Sequence, residues 1–268
     1  MIPVTVIGGE GFIGSCVANS LRVAGESPWC PKRNDHEVWE RDLGRVIYCA
    51  GLTGDYRLRP LETVEAHVSL LARLIEKASF ERIVYLSTTR IYNLIFDGLG
   101  TEYKSVSVNP NDPEHLYELS KLLGESLALH HSDGRGVVAR LSYVFDWEAG
   151  AQGFLSQWLQ AARGSRSLTI DSSPNLARDY IHVDDVASAL VSLANGATSG
   201  IVNVARGETL SNAAIAAVFE QEGWKVAFSR DDPGADRGVL VDTARLHDLG
   251  IRTRPVLQLI EEYLAKLN

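Results

Sequence analysis

Two residues of this chain have the types and spacing to move a proton. Tyr117 and Lys121 stand four apart in Leu116-Tyr117-Glu118-Leu119-Ser120-Lys121, so on a helix both project from one face, a turn apart. A tyrosine with a pKa of about 10 is a poor base at neutral pH, and a neighbouring ammonium favours its phenolate. Such a pair can give or take a proton at a substrate oxygen. The same spacing occurs on ordinary solvated helices, so its meaning depends on the residues that accompany it. One such group is Tyr85-Leu86-Ser87-Thr88-Thr89-Arg90-Ile91-Tyr92, an apolar strand that runs out into three hydroxyl residues. Hydroxyls there can hold a substrate oxygen, or simply cap the segment that follows.

A third group begins the chain. Val4-Thr5-Val6-Ile7 leads into Gly8-Gly9-Glu10-Gly11-Phe12-Ile13-Gly14 and then into a helix from Ile13 to Ala24. Gly8 permits a sharp exit from the strand, Gly11 removes a side chain that would block a phosphate, and Gly14 lets helix and sheet approach. The unpaired N–H groups of Phe12 and Ile13 at the helix start then face an anion. This is the pattern of a dinucleotide pyrophosphate site, although a tight strand-to-helix turn needs the same glycines.

These groups need elements to position them. Apolar runs at Arg45 to Cys49, Arg82 to Ser87 and Val137 to Leu141 alternate with helical patterns at Val64 to Ala78 and Leu116 to His130, which predicts a parallel sheet covered on both faces. Past Phe145 the pattern loosens into helices at Gln152 to Arg163, Asp184 to Ala194, Asn212 to Gln221 and Val256 to Lys266, with surface loops at Gly164 to Pro174 and Asp231 to Gly238. The expected class is α/β: a Rossmann-type doubly wound parallel sheet over residues 1–145, to which later segments can return, and a smaller C-terminal substrate lobe over 146–268.

Composition narrows the function. With 268 residues and 45% hydrophobic content the chain can bury a large core, and its net charge of -8 argues against general nucleic-acid binding. No apolar stretch is long enough to span a membrane and no signal peptide opens the chain, so a cytoplasmic protein is expected. Cys16, Cys30 and Cys49 lie in apolar contexts without CxxC spacing; that suits reduced thiols better than disulfides or zinc, and no metal site is expected.

Together with Arg178-Asp179-Tyr180-Ile181-His182-Val183-Asp184-Asp185, these groups occur in the order seen in extended short-chain dehydrogenase/reductases. More narrowly, the chain resembles the NAD-dependent epimerase/dehydratase family from Val4 to about Leu249. The resemblance implies hydride transfer on a nucleotide-linked sugar by an enzyme that pairs as a homodimer through the helices Val64 to Ala78 and Leu116 to His130. It makes Tyr117 the acid/base, and gives Lys121 the tasks of lowering its pKa and holding the nicotinamide ribose. Thr88 matches the catalytic Ser or Thr. Ser87, Ala50 and Gly51 fall where the cofactor is lined, and Thr89 and Tyr143 where substrate is met. Arg178 matches an arginine that contacts the substrate's diphosphate, while an ion pair with Asp179 or Asp184 would explain it equally well.

The departures bear on substrate and cofactor. Thr89 and Arg90 stand where dehydratases of the family carry Asp and Glu, so an epimerase or 4-ketoreductase is expected rather than a dehydratase. His67 replaces an Asn, as a proton relay or as a hydrogen-bonded structural histidine. Tyr143 replaces another Asn, and Asp146 a glycine. After a second strand at Ser27 to Cys30 the expected acidic residue gives way to Pro31-Lys32-Arg33. Lys32 and Arg33 could neutralise a 2′-phosphate, which favours NADP over NAD, or form a solvated turn balanced by Asp35 and Glu37. Two readings outside catalysis remain: a cofactor-sensing regulator and an assembly subunit.

Overall fold

The computed structural model describes residues 2–95, 98–148, 150–234 and 238–268. In chain order its strands and helices are β1 (Val4–Ile7), α1 (Phe12–Val23), β2 (Arg45–Tyr48), α2 (Pro60–Val64), α3 (Leu70–Lys77), β3 (Arg82–Thr88), β4 (Leu99–Gly100), α4 (Leu116–His130), β5 (Gly136–Leu141), β6 (Tyr143–Phe145), α5 (Phe154–Ala162), β7 (Ser167–Ile170), β8 (Ala177–His182), α6 (Val183–Asn195), β9 (Gly200–Val204), β10 (Thr209–Ser211), α7 (Asn212–Gln221), β11 (Lys225–Phe228), β12 (Leu240–Val241), α8 (Ala244–Asp248) and α9 (Val256–Ala265).

The central sheet is parallel and has the order β1-β2-β3-β5-β9. Its strands are short apolar runs buried on both faces, as a covered parallel sheet demands. One face packs on α1 and α6 through Val17, Leu21, Val186 and Leu190. The other packs on α3 and α4 through Leu71, Leu74 and Ala128. The chain is therefore a Rossmann-type α/β protein. Its fifth strand comes from beyond residue 146, because β9 returns to pair with β5.

A second core, around Trp158, Phe219 and Tyr263, belongs to the C-terminal half. Here the structure corrects one expectation. The stretch 164–174 contains β7, which pairs in parallel with β11. Its burial alternates, with Leu168 and Ile170 inside and Ser167 and Thr169 outside, so the period-two signal was present in a segment short enough to pass for a loop. Of the loop 231–238, residues 235–237 lie outside the described residues.

The strand expected at Ser27 to Cys30 is also reduced, to one bridge between Trp29 and Thr5. Trp29 donates to the Val4 carbonyl and accepts from the Val6 N–H, at 2.9 and 2.8 Å. Pro28 and Pro31 flank it without N–H groups, so the ladder cannot extend. Between Trp29 and β2 stands only a 3-10 turn at His36–Trp39, the abbreviation that the short sequence interval requires.

The helix expected from Val64 starts earlier, with Pro60 in its first turn. It is interrupted by a π turn at Glu65–Ser69 that carries His67. Tyr48 and Tyr85, from β2 and β3, donate their hydroxyls to the Ala66 and His67 carbonyls at 2.6 and 3.1 Å. Two buried phenols thus hold a helix distortion of the kind often found at working sites.

Candidate active site

The glycine turn closes on itself. Gly8 has φ +79°, and a β-carbon on Gly14 would lie 2.2 Å from the Gly8 carbonyl oxygen, so neither position accepts a side chain. Gly11 differs: an added β-carbon there meets only that same oxygen, at 3.3 Å. Gly11 is the N-cap of α1, with no side-chain cap and no acidic residue in the first turn, where Phe12 and Ile13 sit. The first N–H groups of α1 are left for an anion, and this cradle fits a pyrophosphate.

Lys32 and Arg33 are exposed beyond the Trp29 segment. The acids that sequence set against them are engaged elsewhere: Asp35 accepts from the Glu37 N–H, and Glu37 pairs with Arg41 at 3.1 Å. Arg33 instead faces Glu62 across 3.9 Å. Where an acidic residue was expected, Cys30 packs its sulfur against Gly9.

Tyr117, Lys121 and Thr88 converge. The Tyr117 ring is buried, and the Thr53 and Thr88 side chains are close enough to its hydroxyl to lower the phenol's pKa. Burial raises the phenol's pKa, and the groups that oppose this are the Thr53 side chain, the Arg90 charge and the Thr88 side chain. The cation that faces Tyr117 is thus Arg90, with its guanidinium carbon 5.1 Å from the ring centre. Lys121 donates to the Leu86 carbonyl at 2.9 Å, and burial pushes its pKa down to about 8. It lies beside Gly51 and His67, where an added β-carbon on Gly51 would stand 3.4 Å from the Lys121 ammonium and 3.1 Å from the imidazole. Ala50 and Gly51 extend the chain from β2 into this corner.

His67 is buried and sits edge-on to the Tyr117 ring, 5.4 Å away. Its Nε2 accepts from the Leu52 N–H at 3.3 Å and its Nδ1 is 2.8 Å from Ser120 Oγ, which itself donates to the Tyr117 carbonyl. That arrangement assigns the proton to Nδ1. Burial, then the Lys121 charge, pushes its pKa down to about 2. With both nitrogens engaged, His67 is the hydrogen-bonded structural histidine rather than a relay.

Ser87 also has a place behind the site. Its hydroxyl donates to Glu125 at 2.6 Å, and Glu125 grips Arg140 in a buried two-pronged ion pair at 2.6 and 2.9 Å. This network braces the ends of β3 and β5.

On the far side of Thr88, the residues Thr89, Arg90, Tyr143 and Arg178 border one small cavity between the two halves of the chain. Arg178 lies over the Tyr143 ring at 5.3 Å. Arg178 also donates to the Ala177 carbonyl at 2.8 Å, and the acids that sequence set beside it have contacts of their own. Asp179 accepts from the N–H groups of Arg206, Gly207 and Glu208, and Asp184 lies near His182 and Arg254.

Thr53, Tyr56 and Glu118 were not found from sequence. Tyr56 packs on Tyr117 at 5.4 Å and accepts from Arg90 at 2.9 Å, while Glu118 pairs with the Arg90 Nε at 2.6 Å. Only Glu118 had a signal, as the neighbour of Tyr117; a loop after β2 gives none for the other two. Among the described residues no cluster of His, Cys, Asp or Glu could hold a metal, and no helix is long and apolar enough to cross a membrane.

Comparison with known proteins agrees with this geometry. Residues 4–205 match the profile of the NAD dependent epimerase/dehydratase family. UDP-glucuronic acid decarboxylase 1 of Xenopus tropicalis is 22% identical over 86% of this chain, which spans only 64% of that relative's length. Among solved structures, MoeE5 in complex with UDP-glucuronic acid and NAD is 25% identical with a TM-score of 0.79, covering 98% of this chain and 96% of that one. RMD from Pseudomonas aeruginosa complexed with NADPH is 20% identical with a TM-score of 0.77, covering 100% and 99%.

Proposed function

Because this chain belongs to the NAD dependent epimerase/dehydratase family, we propose that it transfers hydride at a carbinol or keto carbon of a nucleotide-linked sugar, as an epimerase or 4-ketoreductase. The observation that carries this reading is that the Tyr117 hydroxyl, Thr88 and the buried Lys121 meet at the end of β3. Thr89 and Arg90 supply no acid for dehydration, and the nearby Glu118 is tied to Arg90.

When bound, the nicotinamide supplies or accepts hydride. The protein's part is proton transfer and placement. In the reductive direction Tyr117 gives its hydroxyl proton to the carbonyl oxygen, and Thr88 steadies that oxygen with a hydrogen bond. Lys121, poorly solvated, would donate to the ribose hydroxyls, while Gly8, Gly11, Phe12, Ile13 and Gly14 would hold the pyrophosphate. Arg178 meets the substrate's diphosphate, a role its forked guanidinium suits. If the ketone is taken back on its other face, the outcome is epimerisation.

NADP is favoured over NAD, since Lys32 and Arg33 are exposed and unopposed by Asp35 and Glu37. A homodimer through α3 and α4 would cover Leu123, which is 52% exposed. A purely regulatory or assembly role leaves the joint placement of Tyr117, Lys121 and Thr88 without a purpose. Mass spectrometry of ligands that copurify with the chain tests the proposal: a nicotinamide dinucleotide or a nucleotide sugar supports it, and reproducible capture of an unrelated ligand class rejects it.

A further inference from the structure

Arg90 is placed for more than its neighbours require. Its Nε pairs with Glu118 at 2.6 Å and its Nη2 donates to Tyr56 at 2.9 Å, so the guanidinium plane is fixed. It is only partly covered and borders the cavity that also meets Thr89, Tyr143 and Arg178. Among the described residues no hydrogen bond is made by its Nη1. Asp179, the carboxylate that also borders the cavity, is saturated by three backbone N–H groups.

The position of Arg90 relative to the reacting oxygen is informative. That oxygen must lie at the Tyr117 and Thr88 hydroxyls, and Arg90 is two residues beyond Thr88, with its backbone N–H bonded to the Thr88 hydroxyl at 3.1 Å. Its guanidinium carbon is 5.1 Å from the Tyr117 ring centre. On the reading proposed above, a substituent on the sugar carbon next to the reacting one is the part of the substrate that this cation would meet. A neutral hydroxymethyl there makes an ordinary hydrogen bond, whereas a carboxylate makes a charge-assisted one in a poorly hydrated cleft.

We propose that Arg90 is a specificity-determining residue that reads a carboxylate on the carbon beside the reacting one, so that the sugar is a uronic acid. This deepens the proposed sugar-nucleotide chemistry and rests on it. Glu118 and Tyr56 are positioning residues that hold the guanidinium toward the cavity. Arg178 stays with the diphosphate, and the two arginines divide the anionic substrate between them.

The test is calorimetric binding of UDP-glucuronic acid, UDP-glucose and UDP to the full chain and to Arg90→Met and Arg90→Lys. The first two ligands differ only in carboxylate against hydroxymethyl. The expected result is about tenfold tighter binding of UDP-glucuronic acid by the native chain. That preference should vanish in Arg90→Met and survive in part in Arg90→Lys, with affinity for UDP unchanged. Equal affinity of the native chain for the two sugars overturns the inference while leaving the sugar-nucleotide reading intact, and it needs no variant to fold. A preference that persists in Arg90→Met overturns it as well. Failure of the native chain to bind any of the three rejects the underlying reading, and the inference with it.

Discussion

The guanidinium carbon of Arg90 stands 5.1 Å from the centre of the Tyr117 ring, while the Lys121 ammonium is bonded to the Leu86 carbonyl. The two cations near this end of β3 have separate surroundings. Lys121 faces the corner formed by Gly51 and His67, and Arg90 faces Tyr117 and the small cavity it shares with Tyr143 and Arg178.

If Tyr117 works as a base in the oxidative direction, turnover at saturating substrate rises with pH as the phenol ionises. Burial raises the phenol's pKa and the Arg90 charge opposes that rise. Arg90→Met should therefore shift the rising limb to higher pH by about one unit. Arg90→Lys should shift it less, and Glu118→Gln should shift it the other way, because the Glu118 charge raises the same pKa. The pH profile of kcat decides; an unmoved limb in Arg90→Met removes Arg90 from the electrostatics of Tyr117.

The glycine turn separates fold from ligand. Gly14→Ala drives a β-carbon into the Gly8 carbonyl and should cost about 3 kcal/mol or more in chemical denaturation. Gly11→Ala keeps an ordinary backbone angle and meets the Gly8 oxygen far less closely, at 3.3 Å, so it should cost about 1 kcal/mol, well below Gly14→Ala. Its affinity for NADPH or NADH should nevertheless fall about tenfold, read by the fluorescence of the bound nucleotide. Gly11→Ala that binds normally would move the phosphates elsewhere.

His67 makes stability depend on pH. Its folded pKa is pushed down to about 2, while the unfolded chain takes up a proton near pH ~6.5. Below that pH the unfolded state binds more protons, so stability is lost as the pH falls, with a slope approaching about 1.4 kcal/mol per pH unit. Denaturation curves between about pH 6.5 and 4.5 should be flatter for His67→Gln than for the native chain by that slope. Parallel curves would mean that His67 is not held neutral.

Cofactor choice rests on Lys32 and Arg33. NADPH should bind more tightly than NADH, and Lys32→Glu with Arg33→Glu should weaken NADPH alone. Tighter binding of NADH to the native chain rejects the assignment.

The sequence foretold most of the frame, and its failures have physical reasons. Helix α4 has the bounds its apolar spacing predicts, Leu116 to His130, and with it the placement of Tyr117 and Lys121 on one face was legible. The paired strands β7 and β11 were not foreseen as a sheet, because their partners lie far apart in the chain and each alternates over only four residues. At the site, Thr88 was found because a strand end is a fixed address in this fold. Thr53 and Tyr56 were missed because they reach Tyr117 from a loop, where no periodicity marks which side chain turns inward. The placement of Lys121 one turn from Tyr117 followed from helix spacing, and its roles toward the phenol and the nicotinamide ribose from the family resemblance. What spacing cannot show is the Leu86 carbonyl that the ammonium bonds.

The central claim is that Tyr117 carries the proton in a hydride transfer on a nucleotide sugar. The most direct measurement compares turnover of UDP-glucuronic acid and UDP-glucose, followed by product chromatography, for the native chain and Tyr117→Phe, with binding of the reduced cofactor to both as a control for folding. The account predicts conversion by the native chain and a loss of about 10²–10⁴-fold in the variant while cofactor binding persists. Turnover that survives Tyr117→Phe unchanged would contradict it.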